Sequence, residues 1–111
     1  MLKPPLQPML LKTVEKPFNS NDYLFEFKWD GFRCLIFIDN NKIYIQSRNQ
    51  KNLTPNFKEL TNIKSNINQK QVVLDGEICY FSPENQSNFS ILQKRLQSTK
   101  KYIREKYPVT F

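Results

Sequence analysis

Most of the residues that could do chemistry lie in one short segment, EFKWDGFR, which runs from Glu26 to Arg33. Period-two alternation puts Glu26 and Lys28 on the same face of a strand, and Arg33 lies just past a structural turn at Asp30-Gly31. A neighbouring cation favours the neutral form of an amine, which is its nucleophilic form. Lys28 is therefore a candidate nucleophile, although a lysine beside a turn is more often a solvated surface group.

The composition excludes several other chemistries. The 111 residues contain no histidine, which rules out a Ser-His-Asp triad and any zinc site that uses histidine. Cys34 and Cys79 lie far apart in apolar runs without a CxxC partner, so we predict two buried free thiols in a reducing compartment. There is no signal-peptide pattern and no run of about 18 apolar residues, so we expect a cytoplasmic protein without membrane contact.

The charge balance favours a polyanionic partner. The chain has 17 Lys and Arg against 10 Asp and Glu, a net charge of +7, and nucleic acid is the leading candidate. Four basic residues late in the chain could follow a DNA backbone: Lys94, Arg95, Lys100 and Lys101. The segment KYIREKY is better explained as a solvated helical face, and an AT-rich genome, in which lysine codons are frequent, would account equally well for the net charge.

Periodicity predicts the strands that would position these residues. Residues 1–21 are rich in proline and predict an extended lead-in. Alternation predicts a strand over residues 23–28, then the strands FRCLIFID and KIYIQSR joined by a turn at Asn40-Asn41. We expect these three strands to form an antiparallel meander. Three aromatic side chains in and just after the first strand are predicted to lie in the core: Phe25, Phe27 and Trp29.

Later elements follow from capping signals and apolar runs. Thr54-Pro55 predicts a helix start, with threonine as N-cap and proline at the first helical position. The run VVLDGEICYF predicts a fourth strand, and Asn88 is expected to cap a short helix, NFSILQKRL. The closing YPVTF is typical of the beginning of another strand.

Several motifs then occur in the order of a known family. KWDGFR matches the K-x-D-G-x-R signature of covalent nucleotidyltransferases, the superfamily of DNA ligases, RNA ligases and capping enzymes. SRN followed by LTPNFKEL, and later LDGEI, resembles segments of ATP-dependent DNA ligases. Pro8-Met9-Leu10 and the pattern FSILQKR after the fourth strand resemble bacterial end-joining ligases. The chain resembles the N-terminal part of the adenylation domain of such a ligase.

The resemblance implies a role for each matched residue. Lys28 would attack the α-phosphate of ATP and form lysyl-AMP, from which AMP passes to the 5′-phosphate of nicked double-stranded DNA during repair. Glu26 would hold adenine, and Arg33 and Arg48 would contact ribose and phosphates. Glu77 would bind the ribose hydroxyls or help to place Mg²⁺. ATP and Mg²⁺ are the cofactors that the family implies.

The resemblance also implies a fold and a domain organisation. We expect an α+β fold with a mostly antiparallel sheet flanked by helices, the first half of the ATP-grasp-like ligase adenylation domain. Residues 1–21 would form the lead-in and residues 22–111 the nucleotide-binding core, truncated before the C-terminal half and the OB-fold. We therefore expect the chain alone not to seal nicks, to need that missing half or OB-fold domain as a partner, and to expose apolar surface and unpaired strand edges.

The sequence departs from the family in ways that leave alternatives open. It lacks a strand resembling EGLV-x-K and a lysine pair resembling K-x-K, and it has Gln50 where the family has glycine after SRN. One alternative is a non-catalytic nucleic-acid-binding module that uses its basic face. Another is an RNA ligase or a GTP-using capping-type nucleotidyltransferase, against which Trp29, SRN and LDGEI favour a DNA ligase.

Overall fold

The computed structural model describes residues 3–111, and regular secondary structure begins at Phe32. In chain order the elements are β1 (Phe32–Asp39), β2 (Lys42–Ser47), a 3₁₀ helix (Lys58–Asn66), β3 (Gln71–Ile78), α1 (Phe89–Leu96) and α2 (Lys101–Lys106). The predicted α+β class with an antiparallel sheet and helices is confirmed. None of the helices in residues 3–111 is long and apolar enough to cross a membrane.

The three strands form one antiparallel sheet in the order β2-β1-β3. β1 and β2 form the predicted hairpin, and Asn40 adopts a positive φ of 53° in its turn, a conformation that asparagine tolerates better than most residues. β3 pairs with the other side of β1, so that Arg33 lies opposite Glu77 and Ile36 lies opposite Leu74. The predicted order of strands is therefore wrong, because the third strand of the sheet comes from residues 71–78.

The segment Tyr23–Lys28 is not a strand, although its alternation predicts one. A strand needs a neighbour for its backbone hydrogen bonds, and no backbone hydrogen bond joins this segment to the rest of residues 3–111. Phe27 is 82% exposed and Trp29 is 51% exposed. The prediction that these aromatic side chains lie in the core is wrong, and the expectation of exposed apolar surface is confirmed.

The core lies on one face of the sheet, where the inward residues of β1 meet Phe57 from the loop before the 3₁₀ helix and Leu92 of α1. Ile36 and Leu92 have no exposed surface. Cys34 belongs to this core, and burial raises the pKa of its thiol to about 12. Cys34 and Cys79 are both buried and free, as predicted.

The side-chain hydrogen bonds of Asn88 and Thr54 explain where α1 and the 3₁₀ helix begin. The Asn88 side chain accepts a hydrogen bond from the Ile91 amide, so the predicted N-cap of α1 is confirmed. The predicted helix start at Thr54 is wrong, because the Thr54 hydroxyl accepts a hydrogen bond from the Ile45 amide of β2. Residues 54–56 form a turn, and the helix that follows is a 3₁₀ helix from Lys58.

The two edges of the sheet differ. The outer edge of β2 is covered, because the Ile45 amide and carbonyl bond to Thr54 and Leu53. The outer edge of β3 has no backbone partner among residues 3–111, which confirms the expectation of an unpaired strand edge.

Candidate active site

Three strand ends meet at one end of the sheet and form the floor of a cleft. Because both neighbours run antiparallel to β1, the beginning of β1 lies beside the ends of β2 and β3. The cleft at this end has a volume of about 960 Å³. Five of the residues singled out from the sequence line it: Lys28, Gly31, Arg33, Arg48 and Glu77.

Lys28 reaches the cleft from the extended segment that precedes β1. The positive charge of Lys28 is the largest of the influences that lower the pKa of Glu77, ahead of the charge of Arg33. Lys28 is exposed, and both Lys28 and Glu77 line the same cleft. The candidate nucleophile and the candidate acidic residue therefore share one site.

Gly31 explains how the Lys28 segment comes so close to the end of β3. A Cβ at this position would lie 2.3 Å from the Ile78 carbonyl oxygen, 2.7 Å from the Cys79 sulfur and 3.1 Å from Glu77 Oε2. No side chain other than hydrogen fits there without movement of the backbone. Gly31 is thus required for close approach, whereas the sequence suggested only a turn with Asp30.

Glu77 is a carboxylate in a desolvated position. Its Oε2 atom is buried and has no hydrogen-bond partner within residues 3–111. Burial raises the pKa of Glu77 above its usual range, and the charges of Lys28 and Arg33 oppose that shift in part. A buried oxygen without a partner is costly, so this atom is available to a ligand that can supply a hydroxyl group or a cation.

Arg33 is held by a residue that sequence reasoning missed. Its Nε donates to Asp75 Oδ1 at 3.0 Å and its Nη2 donates to Asp75 Oδ2 at 2.8 Å, which is the bidentate geometry of a strong ion pair. Its Nη1 donates to the Met9 carbonyl of the lead-in. Hydrogen bonding to Asp75 raises the pKa of Arg33. Asp75 belongs to the LDGEI motif, in which only Glu77 was assigned a role from the sequence.

Two other cations line the cleft beside the end of β2. Arg48 and Lys51 are both exposed, and neither forms an ion pair within residues 3–111. Lys51 was missed from the sequence, because a lysine after a turn carries no signal of its own. These two side chains give the cleft positive charge that is not neutralised by a partner.

The remaining candidates lie elsewhere. Glu26 is exposed and is not among the residues of the described chain that line the cleft. Lys94, Lys100 and Lys101 are exposed around α1 and α2, and Lys101 pairs with Glu105 at 3.6 Å.

Arg95 is a correction to the predicted basic surface. It is 0% exposed, forms an ion pair with Glu59 and lies over the Phe57 ring at 5.2 Å from its centroid. A guanidinium enclosed in this way cannot reach a DNA backbone. Its position on the inner face of α1 explains the error, because basic residues in a short helix were all taken as solvated.

The cleft can be tested for its fit to Mg²⁺. Within residues 3–111 no group of three or more acidic, cysteine or histidine side chains could hold a metal ion. Mg²⁺ is commonly bound by one or two carboxylates together with substrate phosphates. The unpartnered Oε2 of Glu77 fits that mode, in which most of the ligands would come from the nucleotide and water.

The comparisons with known proteins agree with the motifs. A family model described as ATP dependent DNA ligase domain matches residues 8–111. DNA ligase C1 of Mycolicibacterium smegmatis is 41% identical over 78 residues, which cover 69% of this chain and 22% of that protein. DNA ligase C of Mycobacterium tuberculosis is 32% identical over 97% of this chain and 30% of its own length.

A solved structure supports the same relationship. Mycobacterial DNA ligase D, in complex with ATP and MES, superposes with a TM-score of 0.62 at 26% identity over 78% of this chain and 26% of that chain. The chain spans between 11% and 34% of the length of the curated ligases that it matches. The family model nevertheless matches residues 8–111, and the chain therefore belongs to the ATP-dependent DNA ligase family.

Proposed function

We propose that this chain provides the nucleophile and part of the ATP pocket of a DNA ligase adenylation domain, with Lys28 as the residue that takes AMP. The observation that carries the proposal is the meeting of Lys28, Glu77, Arg33 and Arg48 around one cleft. These residues come from three separate motifs of the family. A chance arrangement of surface charges would not collect them at one end of the sheet.

The reaction would proceed by covalent catalysis. The neutral Lys28 amine attacks the α-phosphorus of ATP, so that an N–P bond forms while the bond to the bridging oxygen of pyrophosphate breaks. The amine gives up a proton to water, and pyrophosphate leaves with the electron pair. The product is lysyl-AMP, in which the nucleotide is held for transfer to a second acceptor.

The other side chains of the cleft would act on charge and orientation. Arg48 and Lys51 have no ion-pair partner within residues 3–111 and are free to neutralise phosphate charge that develops as pyrophosphate departs. The Glu77 carboxylate would accept hydrogen bonds from the ribose hydroxyls or contribute one ligand to Mg²⁺. Mg²⁺, when bound, would supply charge neutralisation at the phosphates.

We further propose that lysyl-AMP serves DNA strand sealing in repair. The relatives include proteins named as multifunctional non-homologous end joining proteins from mycobacteria. AMP would pass to the 5′-phosphate of a nick, and the 3′-hydroxyl would displace it. The chain spans no more than about a third of the length of these relatives. We therefore expect DNA to be bound mainly by other parts of the ligase, with a C-terminal ligase half or an OB-fold domain as the partner.

The proposal is tested by separating ATP binding from AMP transfer. ATP binding to the chain is measured by calorimetry with Mg²⁺, and α-labelled ATP is used to look for a covalent adduct. The same labelling is done in a chimera in which residues 8–111 replace the matched segment of DNA ligase C of Mycobacterium tuberculosis. We expect the chimera to be labelled and Lys28→Ala to abolish the label.

Lys42→Ala is the matched control, because Lys42 is the first residue of β2 and the cleft lies at the other end of that strand. The label should be retained in this variant and should map to the peptide that contains Lys28 in the parent chimera. Labelling that persists in Lys28→Ala at the parent level would exclude Lys28 as the nucleophile. Replacement of ATP by GTP distinguishes a ligase from a capping-type enzyme.

A further inference from the structure

We infer that Arg33, Asp75 and the Met9 carbonyl form a clasp that holds the lead-in segment against the sheet as one wall of the cleft, with Asp75 as its positioning residue. The clasp is defined by hydrogen bonds among Arg33, Asp75 and the Met9 carbonyl, and its existence does not depend on the proposed function. Its coupling to nucleotide binding rests on the proposed function.

The clasp uses all three guanidinium nitrogens of Arg33. Nε and Nη2 are fixed by the two oxygens of Asp75 at 3.0 and 2.8 Å, and Nη1 is turned towards the Met9 carbonyl. Asp75 and Arg33 lie on the same face of the sheet, since their register partners are Leu35 and Glu77. The bidentate pair sets the plane of the guanidinium, and that plane sets which atom reaches the lead-in.

The lead-in beyond the clasp forms part of the cleft. Leu10, Leu11 and Thr13 line the same space as Lys28 and Glu77. Leu11 is 81% exposed and Leu10 is 59% exposed, so little apolar burial holds this wall in place. A wall with so little packing must depend on its polar attachments.

Two polar attachments are present within residues 3–21. One is the clasp at Met9. The other is Gln46, whose side chain is fully buried and exchanges hydrogen bonds with the amide and carbonyl of Leu6, at 3.0 and 2.6 Å. The clasp is the attachment nearer to the residues that line the cleft, so its loss should free Leu10–Thr13 while Leu6 remains attached.

The sheet itself does not depend on the clasp. The Asp75 side chain is 47% exposed, and ion pairs at such positions contribute little to global stability. Removal of the Asp75 charge should therefore release the lead-in without unfolding the core. This selectivity separates a positioning role from a general structural one.

Trypsin cleavage after Lys12 reports directly on the docking of the lead-in. Lys12 is the one lysine of the lead-in that is not followed by proline, since Lys3 precedes Pro4 and Lys16 precedes Pro17. In Asp75→Asn we expect cleavage after Lys12 to accelerate by roughly threefold to tenfold, the effect of losing one ordinary hydrogen bond, because the exposure of Asp75 weakens its ion pair. The thermal midpoint should change little.

Asp39→Asn is the matched control. Asp39 lies at the far end of β1, and its carboxylate likewise accepts two side-chain hydrogen bonds, from Asn40 at 3.0 Å and Gln71 at 2.9 Å. This variant has the same change of charge and should leave cleavage after Lys12 at the parent rate. Arg33→Gln should reproduce the effect of Asp75→Asn. An unchanged Lys12 cleavage rate in both clasp variants overturns the inference.

A second arm measures ATP binding in the same proteins. Binding and docking of the wall are reciprocal, so ATP should slow cleavage after Lys12 and Asp75→Asn should weaken ATP binding relative to Asp39→Asn. If the parent chain binds ATP but gains no protection, the coupling is refuted while the clasp stands on the first arm. If the parent chain does not bind ATP, the same variants are compared in the ligase chimera, where a lack of ATP binding would refute the proposed function. The clasp is then judged by the cleavage rates alone.

Discussion

Gly31→Ala should damage the cleft through the addition of a single methyl group. The new Cβ would lie 2.3 Å from the Ile78 carbonyl oxygen, where ordinary contact begins at 3.4 Å. The gap to be made up is 1.1 Å, the difference between those two distances. The opposing atom belongs to backbone at the end of β3, so the Gly31 turn must move and take Lys28 with it.

The size of the effect follows from these distances. Forcing a methyl group into a packed site costs about 1–3 kcal/mol, which corresponds to a decrease of roughly 4–12 °C in Tm for a domain of this size. Displacement of a reacting group by about 1 Å can cost on the order of 10²-fold in rate. We therefore expect adduct formation in the ligase chimera to fall by a factor near that value, well beyond what the loss of stability explains.

Gly76→Ala provides the matched control for Gly31→Ala. A Cβ at Gly76 would lie 2.7 Å from the Phe111 ring, and a side-chain ring can move away more easily than a backbone carbonyl. Thermal melting and AMP labelling are measured for both variants at a temperature where each is folded. Parent-level labelling in Gly31→Ala would refute the close-approach argument. Equal losses of labelling in the two variants would contradict the expectation that a backbone neighbour yields less easily than a side-chain ring.

Three further changes test other parts of the structure. Glu77→Gln should raise Tm at pH 7. Because the pKa of Glu77 is raised in the folded chain, the protonated carboxyl favours folding. This contribution to stability is fully present below the unfolded pKa and is lost as pH rises through the folded pKa. Melting curves should therefore converge with the parent near about pH 3, while ATP binding is weakened at pH 7. Arg95→Met should lower the free energy of unfolding in urea by about 3 kcal/mol, because it leaves Glu59 partly buried without its partner. Phe27→Asp should reduce self-association in sedimentation experiments with Tm unchanged, because this exposed ring adds apolar surface and no core packing; a lower Tm would contradict that assignment.

The parts of the fold that sequence predicts well are those fixed by local rules. β1 and β2 follow from alternating apolar residues around Asn40, whose positive φ allows the tight turn. The N-cap at Asn88 needs only a side chain and an amide three residues away. Local spacing is enough for these elements: β1 and the Asn88 cap were predicted with the correct residues, and β2 ends at Ser47, one residue before the predicted end.

Contacts between distant residues account for the errors. Period-two alternation in residues 23–28 is real, yet a strand also needs a neighbouring edge, which no sequence window contains. Thr54 has the residue type of an N-cap, but its hydroxyl instead accepts a hydrogen bond from the Ile45 amide. Arg95 was misplaced for the same reason, because its partner Glu59 lies 36 positions earlier in the chain.

The candidate site shows the same division. The nucleophile and Glu77 were found through motifs, whereas Asp75 and Lys51 emerged only from the fold. Asp75 carries no recognisable signal until its carboxylate is seen against the guanidinium of Arg33. Family motifs thus identify the residues that would contact the nucleotide, and the structure adds those that hold such residues in place.

The stability of the cleft and its chemistry are opposed at Glu77. Its buried Oε2 has no partner within residues 3–111, and its raised pKa reflects a carboxylate that the fold would hold more easily with a proton. This unfavourable burial of the Glu77 carboxylate occurs at the end of β3, where Gly31 allows the Lys28 segment to come close. Glu77→Gln and Gly31→Ala should therefore move Tm in opposite directions while both impair the cleft. That pair of signs is expected of a preorganised site, and a simple loss of folding cannot produce it.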